Sequence, residues 1–162
     1  MATVYLGLGT NLGDRMGHLC QALSTLTGLQ ACSSVYETEP WGNPNQPRFL
    51  NLCVELHTPL TPEALHASTQ ALEQRLGRQP GGERWGPRPI DIDLLCYDDL
   101  VIQTDRLTIP HPRIAARAFV LKPLAEIAPD LHIPGLPGTV ADLLAAIPAA
   151  DRLAWSIAPP PC

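Results

Sequence analysis

Arg84-Trp85-Gly86-Pro87-Arg88-Pro89-Ile90-Asp91-Ile92-Asp93-Leu94-Leu95 is the stretch on which the reading of this chain turns. Ile90, Ile92 and Leu94 alternate with Asp91 and Asp93, which is the period of a strand, so the apolar residues face a core and both aspartates share the other face. Two carboxylates held that close repel each other, and on a half-buried face one would take up a proton unless a cation sat between them. Oxygen-only ligands suit Mg²⁺, and phosphate oxygens would complete its shell. Alone, the D-x-D pattern is more often the solvated face of an ordinary strand than a metal site. Its neighbours favour a metal-and-phosphate site: Gly86 and Pro87 set a turn, Arg84 and Arg88 flank it, and Trp85 occupies a loop position that usually holds a small polar residue.

Upstream, Thr61-Pro62-Glu63 begins a helix with a cap residue followed by proline in the first turn. Leu65, Leu72 and Leu76 point inward before Gly77, and His66, Gln70 and Glu73 lie on the other face. Arg78-Gln79-Pro80-Gly81-Gly82-Glu83 has no apolar anchor and predicts a mobile lid. Nearer the start, Val4 to Gly9 reads as a buried strand. A helix begun by Asp14 follows, with Met16, Leu19, Cys20, Leu23 and Leu26 on one stripe and Gly28 at its end. Strands are expected over about 31–38 and about 49–58, separated by a loop from Glu39 to Pro47 that is long enough to be functional. The order strand-helix-strand-strand-helix-strand is that of the split βαβ, so the expected class is α+β: a ferredoxin-like βαββαβ antiparallel sheet with helices on one side and a proline-rich C-terminal extension. The uncovered sheet face is then open to a ligand. Beyond Leu100 the pattern predicts one short helix, Thr139 to Ile147, and a disordered tail over 158–162, leaving 1–157 as a single domain.

With 162 residues and 45% hydrophobic content, the composition fits one soluble domain with its own core. No apolar run has the length of a membrane span, and Met1-Ala2-Thr3-Val4-Tyr5 lacks the basic start of a signal peptide, so the expected place is the cytoplasm. Cys20, Cys32, Cys53, Cys96 and Cys162 form an odd set with no C-x-x-C pair, which argues against a disulfide framework and against a zinc knuckle. By strand parity Cys96 shares the core face of Ile92 and Leu94.

The net charge of −5 disfavours a general nucleic-acid binder, but the charge is unevenly spread. Residues 75–117 carry seven arginines against six acids, and the rest carries four basic residues against ten acids. Lys122 is the only lysine, and the guanidinium fork of arginine grips phosphate bidentately. Gly7-Leu8-Gly9-Thr10-Asn11-Leu12-Gly13 resembles a dinucleotide fingerprint, but its third glycine is one residue late and the following strands pair as a hairpin. No Walker lysine motif occurs, so an ATP site would be of another kind. Two rivals stand beside phosphoryl chemistry on a small molecule. A two-metal phosphohydrolase or nuclease would need further carboxylates, for which Glu73 is the evident candidate, and a non-catalytic binding module would leave the arginine cluster unexplained.

Gly9-Thr10-Asn11-Leu12-Gly13, Tyr36-Glu37-Thr38-Glu39-Pro40, Gln46-Pro47-Arg48-Phe49-Leu50-Asn51, the Arg84 to Arg88 run with Asp91 and Asp93, and Leu107-Thr108-Ile109-Pro110-His111-Pro112-Arg113, in this order, make the chain resemble the 6-hydroxymethyl-7,8-dihydropterin pyrophosphokinase family over almost its whole length. The resemblance implies transfer of pyrophosphate from ATP to the hydroxymethyl oxygen of the reduced pterin, giving AMP. Under it Asp91 and Asp93 hold two Mg²⁺, and Arg78, Arg88, Asp91 and Asp93 form the catalytic set. Gln70, Arg84, Arg88, Leu94, Arg106, Thr108, His111 and Arg117 fall at ATP-binding positions. Thr38, Trp41, Phe49, Asn51, Glu73, Trp85, Asp91 and Phe119 fall at pterin-binding positions, with Phe49 and Phe119 sandwiching the ring. Lid closure over the reactants would exclude water. The implied partners are the two small-molecule substrates, with no nucleic acid and no membrane, and the implied state is a monomer. Some relatives carry a hydroxyl where this chain has Phe49, and more basic charge where it has Pro80-Gly81-Gly82.

Overall fold

The computed structural model describes residues 1–38, 45–78, 89–152 and 156–162. Strand β1 (Ala2–Thr10) leads to helix α1 (Arg15–Thr25), whose first turn is capped by the Asp14 side chain accepting from the Gly17 N–H. The expected second strand is two: β2 (Leu29–Cys32) and β3 (Val35–Thr38), broken at Ser33 and Ser34. Then come β4 (Phe49–Thr58), α2 (Pro62–Arg75, capped by Thr61) and β5 (Asp91–Tyr97). The two-residue strands β6 (Ile102–Gln103) and β7 (Thr108–Ile109) form a small ribbon, followed by α3 (Ala118–Ile127), α4 (Val140–Ala146) and β8 (Ser156–Ala158).

Among the described residues the main sheet runs β5-β1-β4-β3-β8, with β2 also on β4, and its pairings are antiparallel. Every second residue of the central strands faces α1 and α2: Leu6 and Leu8, Leu52, Val54 and Leu56, Ile92 and Leu94 pack with Leu19, Leu23, Leu65 and Leu72. The expectation of helices on one side does not hold. Tyr5, Cys53, Leu95 and Cys96 on the opposite face pack against Ala118, Val120, Leu121 and Leu124 of α3 and Val140 and Leu143 of α4. Helix α3 escapes a sequence reading because Pro123 sits inside it, where proline removes the bond its N–H would make to the Phe119 carbonyl. Burial of its apolar side outweighs that loss, since Leu121 and Leu124 are fully buried. The shorter α4 follows the expected 139–147 helix, fixed by a reciprocal capping box between Thr139 and Asp142.

Two further expectations fail for identifiable reasons. The register passes from Leu6 opposite Leu94 to Tyr5 opposite Cys96, a bulge that skips one residue and reverses the parity beyond it. Cys96 is therefore buried under α3, not with Ile92 and Leu94. The chain end, expected to be disordered from 158, is drawn onto the body: Ala158 pairs with Val35, and Cys162 forms a disulfide with Cys20 of α1, a single bridge that leaves Cys32, Cys53 and Cys96 free.

Candidate active site

The sheet register builds a cleft at one end of β1. Gly9 lies between Asp91 on β5 and Asn51 on β4, and Gly7 lies between Asp93 and Cys53. With no side chain on either glycine, the floor between the aspartates and Asn51 is bare backbone. That is the usual meaning of glycine inside a strand, a close approach by a ligand or another group. A Cβ on Gly9 would stand 2.9 Å from Asn51 Oδ1. Around this floor stand Thr38, Phe49, Asn51, Asp91, Asp93, Arg117 and Phe119. The space they enclose, open mouth included, is about 660 Å³.

One wall is apolar and flat. Phe49 begins β4, and the segment ahead of it is held by Asn11, whose buried amide donates to Gln46 Oε1 (2.9 Å) and the Pro47 carbonyl (3.0 Å). Arg15 donates to the Arg48 carbonyl (3.0 Å). Phe119 lies in the first turn of α3, with the Arg117 guanidinium carbon 5.4 Å from its ring centre. At the polar edge the Asn51 amide donates to Thr38 Oγ1 at 2.7 Å, which orients both groups.

The other wall is charged. Arg78 bridges Glu73 and Asp91, its guanidinium 2.6 Å from Asp91 Oδ1 and in direct contact with Glu73 Oε2. Glu73 was expected on the outward face of α2 but is only 7% exposed, because α2 packs against β5 and turns this position towards Asp91. Burial and the neighbouring Asp91 charge push its carboxyl up to about 7, against the pull of Arg78. Burial, then Asp91, likewise raises the Asp93 carboxyl, while Arg117 at 3.6 Å draws it back. His111 Nε2 is 4.0 Å from Asp93 Oδ2, and its Nδ1 accepts from the Arg113 N–H at 3.2 Å. Burial and the adjacent Arg117 lower this imidazole to about 4, so near neutral pH it is uncharged. With Nδ1 accepting, the proton sits on Nε2, towards Asp93. The His111 loop is tied to β5 by its own N–H donating to the Leu95 carbonyl.

Asp91 and Asp93 fit a divalent cation of the Mg²⁺ type. Among the described residues no group of three or more His, Cys, Asp or Glu side chains forms a ready cage. A cation here would keep positions for water and phosphate, which is how Mg²⁺ is usually held, and it would relieve the repulsion that raises Asp93.

Of the residues singled out from the sequence, Thr38, Phe49, Asn51, Asp91, Asp93, Arg117 and Phe119 meet in the cleft, and Glu73, Arg78 and His111 stand at its charged wall. Gln70 is exposed on α2, Arg106 is exposed in the turn between β6 and β7, and Thr108 is half-buried on β7, all outside the cleft lining. The Leu94 side chain lies in the core beneath the sheet, 5% exposed, so it does not face the cleft. Trp41, Arg84, Trp85 and Arg88 fall outside the described residues, as do all lid positions after Arg78. Gly7, Gly9 and Cys53 were not singled out as site residues. The signal was available: on strands of fixed parity they share the face of Asn51 and the aspartates.

Comparison with known proteins agrees with this geometry. Residues 5–129 match the family model described as 7,8-dihydro-6-hydroxymethylpterin-pyrophosphokinase. Proteins named 2-amino-4-hydroxy-6-hydroxymethyldihydropteridine pyrophosphokinase are similar in sequence. That of Methylorubrum extorquens is 46% identical over 140 residues, covering 83% of this chain and 88% of the relative. That of Aquifex aeolicus is 43% identical over 137 residues, covering 83% and 85%. That of Synechocystis is 40% identical over 159 residues, covering 95% and 80%. The crystal structure of Plasmodium falciparum HPPK-DHPS superposes with a TM-score of 0.71 at 16% identity, over 89% of this chain and 44% of that longer one, a likeness of fold.

Proposed function

Because the chain belongs to the 7,8-dihydro-6-hydroxymethylpterin-pyrophosphokinase family, we propose that the cleft between the Phe49–Phe119 wall and the Asp91–Asp93 wall is where the family's reaction takes place. That reaction is the pyrophosphokinase step of folate biosynthesis: pyrophosphate passes from ATP to 6-hydroxymethyl-7,8-dihydropterin, leaving AMP and the pterin diphosphate. The observation that carries the assignment is the register placing Asp91 and Asn51 on either side of Gly9. Two strand spacings, roughly 10 Å, separate them, so a flat substrate anchored at Asn51 extends across bare backbone towards the carboxylates.

In this reading the pterin stacks between Phe49 and Phe119, with Asn51 and Thr38 at its hydrogen-bonding edge and Trp41, Glu73, Trp85 and Asp91 completing its surroundings. Asp91 and Asp93 would hold two Mg²⁺, which when bound supply charge neutralisation and alignment of the triphosphate. The pterin hydroxymethyl oxygen attacks the β-phosphorus, the bond from that phosphorus to the oxygen bridging to the α-phosphate breaks, and the hydroxyl proton is released to solvent. Neutral His111 offers its Nε2–H to a phosphate oxygen, and Arg117 stands beside Asp93 to meet the same charge. Arg78 can exchange its carboxylate partners for phosphate, and Gln70, Arg84, Arg88, Arg106 and Thr108 would supply further ATP contacts, whereas the buried Leu94 side chain does not.

The β1-α1-β2/β3-β4-α2-β5 portion is best described as ferredoxin-like, supported by the strand order β5-β1-β4-β3, with residues 1–157 as one domain extended by α3 and α4. A monomer acting on small molecules in the cytoplasm, without nucleic-acid or membrane partners, suits a self-contained cleft. Among the described residues no helix is long and apolar enough to cross a membrane. In a reducing cytoplasm Cys20 and Cys162 would be thiols, and the tail would be held by β8 pairing alone.

The test is to incubate the protein with Mg²⁺, ATP and 6-hydroxymethyl-7,8-dihydropterin and to separate the nucleotides. AMP that appears only with the pterin is the expected result. ADP or phosphate released without any pterin requirement would overturn the assignment in favour of a hydrolase.

A further inference from the structure

Helix α3 delivers Phe119 and Arg117 to the cleft, yet it crosses the sheet as a separate layer and must be fixed at both ends to hold an aromatic slot at constant width. At its start Arg117 reaches Asp93 on β5. Midway the Cys53 thiol of β4 lies 3.5 Å from the Val120 carbonyl. At its far end Glu126, itself exposed, receives three hydrogen bonds from β3 and the residue leading into it: the Ser34 N–H at 2.8 Å, the Ser34 hydroxyl at 3.1 Å and the Tyr36 hydroxyl at 2.5 Å. Phe119 and Glu126 are seven residues apart, two helical turns or roughly 10 Å, so they lie along one side of α3.

The strand end of this contact is equally specific. Ser34, Tyr36 and Thr38 alternate onto one face of β3 and its lead-in, the face that carries Thr38 into the cleft. Tyr36 pairs with Asn51, and Asn51 donates to Thr38. The sheet is interrupted at Ser33 and Ser34, where the Ser33 hydroxyl accepts from the Cys53 N–H and Glu126 accepts from the Ser34 N–H. A side chain from α3 thus takes a place that a neighbouring strand would otherwise fill.

We propose that Glu126 is a positioning residue for the pterin slot: by holding Ser34 and Tyr36 it fixes α3, and with it Phe119, against the strand that presents Thr38. This rests on the assignment of the cleft to pterin. Release of Glu126 leaves α3 hinged at Arg117, so the Phe49 to Phe119 gap loosens while the carboxylate wall keeps its form. The loss therefore falls on the pterin and spares the nucleotide.

The experiment measures binding of 6-hydroxymethylpterin and of the Mg²⁺ complex of a non-hydrolysable ATP analogue by calorimetry, together with steady-state kinetics, for the wild type, E126A, E126Q, Y36F and E126A/Y36F. The wild-type AMP assay separates the two readings: no pterin-dependent AMP there would sink the functional assignment before Glu126 is judged. For E126A the expected outcome is a rise of roughly tenfold in pterin Kd and KM, with ATP-analogue Kd and kcat within about twofold. E126Q can accept from Ser34 and donate to Tyr36, so it should recover most of the affinity. The double variant should lose less than the two single losses combined. Equal losses for both ligands, or unchanged pterin binding in a variant whose Tm has fallen, would overturn the proposal. If E126A does not fold, E126Q and Y36F decide by the same criterion, pterin affinity weakened relative to nucleotide affinity, with Y36F the more affected.

Discussion

The two walls of the cleft are built on different principles. The carboxylate wall comes from one strand: Asp91 and Asp93 reach the same face because they are two residues apart, and any strand over Ile90 to Leu94 would bring them together. The aromatic wall has no such local origin. Phe49 opens β4, Thr38 closes β3, Asn51 sits between them in register, and Phe119 arrives on a helix from the other end of the chain. Charge chemistry here is encoded by spacing and shape chemistry by tertiary assembly, so the two walls should respond differently to mutation.

Damage to the charged wall should be the more severe and confined to turnover. Asp93→Ala removes one of two candidate ligands for Mg²⁺ from a side chain about 30% exposed on a strand otherwise held by its core face. The expected result is a fall in kcat of roughly a hundred- to a thousandfold, the scale of losing a group that stabilises developing charge. The far-ultraviolet circular dichroism spectrum should be unchanged and the Tm should not be lowered, because a raised carboxyl beside Asp91 is a source of repulsion. Turnover within tenfold of wild type would break the mechanism. Phe119→Ala strikes the other wall and should raise the pterin KM by roughly 5- to 150-fold, the range for one ring stacked on an aromatic side chain. The KM for ATP should stay within about threefold, and parallel rises in both constants would remove the distinction between the walls.

The sequence was readable where structure is local. Alternating Leu50, Leu52, Val54 and Leu56 define β4 over 49–58, and the side chains of Asp14, Thr61 and Thr139 mark the starts of α1, α2 and α4. What escaped is whatever depends on a distant partner. Pro123 conceals α3, the Leu95 bulge reverses parity for Cys96, and at the gap over Ser33 and Ser34 a serine hydroxyl and Glu126 accept backbone N–H groups that the sequence pattern does not reveal. Arg117 and Phe119 could accordingly be named through family resemblance, but no periodicity placed them. Glu73 was visible as an acid near the metal, yet its burial depends on how α2 docks against β5.

That burial gives the charged wall a pH signature the aromatic wall lacks. Glu73 is raised from its ordinary range to about 7, so folding favours its protonated form. Its stabilising contribution is complete below about 4.5 and is lost as pH rises through about 7. Metal-free protein should therefore lose on the order of 1–3 kcal/mol between pH 5 and 8 from this group. Mg²⁺ should flatten the slope by offsetting the Asp91 charge that contributes to the shift. Thermal melts across that pH range, with and without Mg²⁺, measure both effects, and superimposable profiles would show that the wall carries no such coupling.

Gly9 offers the finest test, because it belongs to both walls at once. It pairs with Asp91 on one side and Asn51 on the other, yet the Cβ of an alanine there would lie 2.9 Å from Asn51 Oδ1 and only in ordinary contact, 3.7 Å, with Phe49. The crowding is directed at the polar edge of the slot. Asn51 must turn, and its hydrogen bond to Thr38 must lengthen, while nothing nearby presses on Asp91. Gly9→Ala should therefore raise the pterin KM by a few-fold, about what a weakened neutral hydrogen bond costs, and leave the Mg²⁺ dependence of turnover unaltered. Should the Mg²⁺ requirement shift instead, the backbone of β1 transmits strain to β5, and the walls that look independent would be mechanically one.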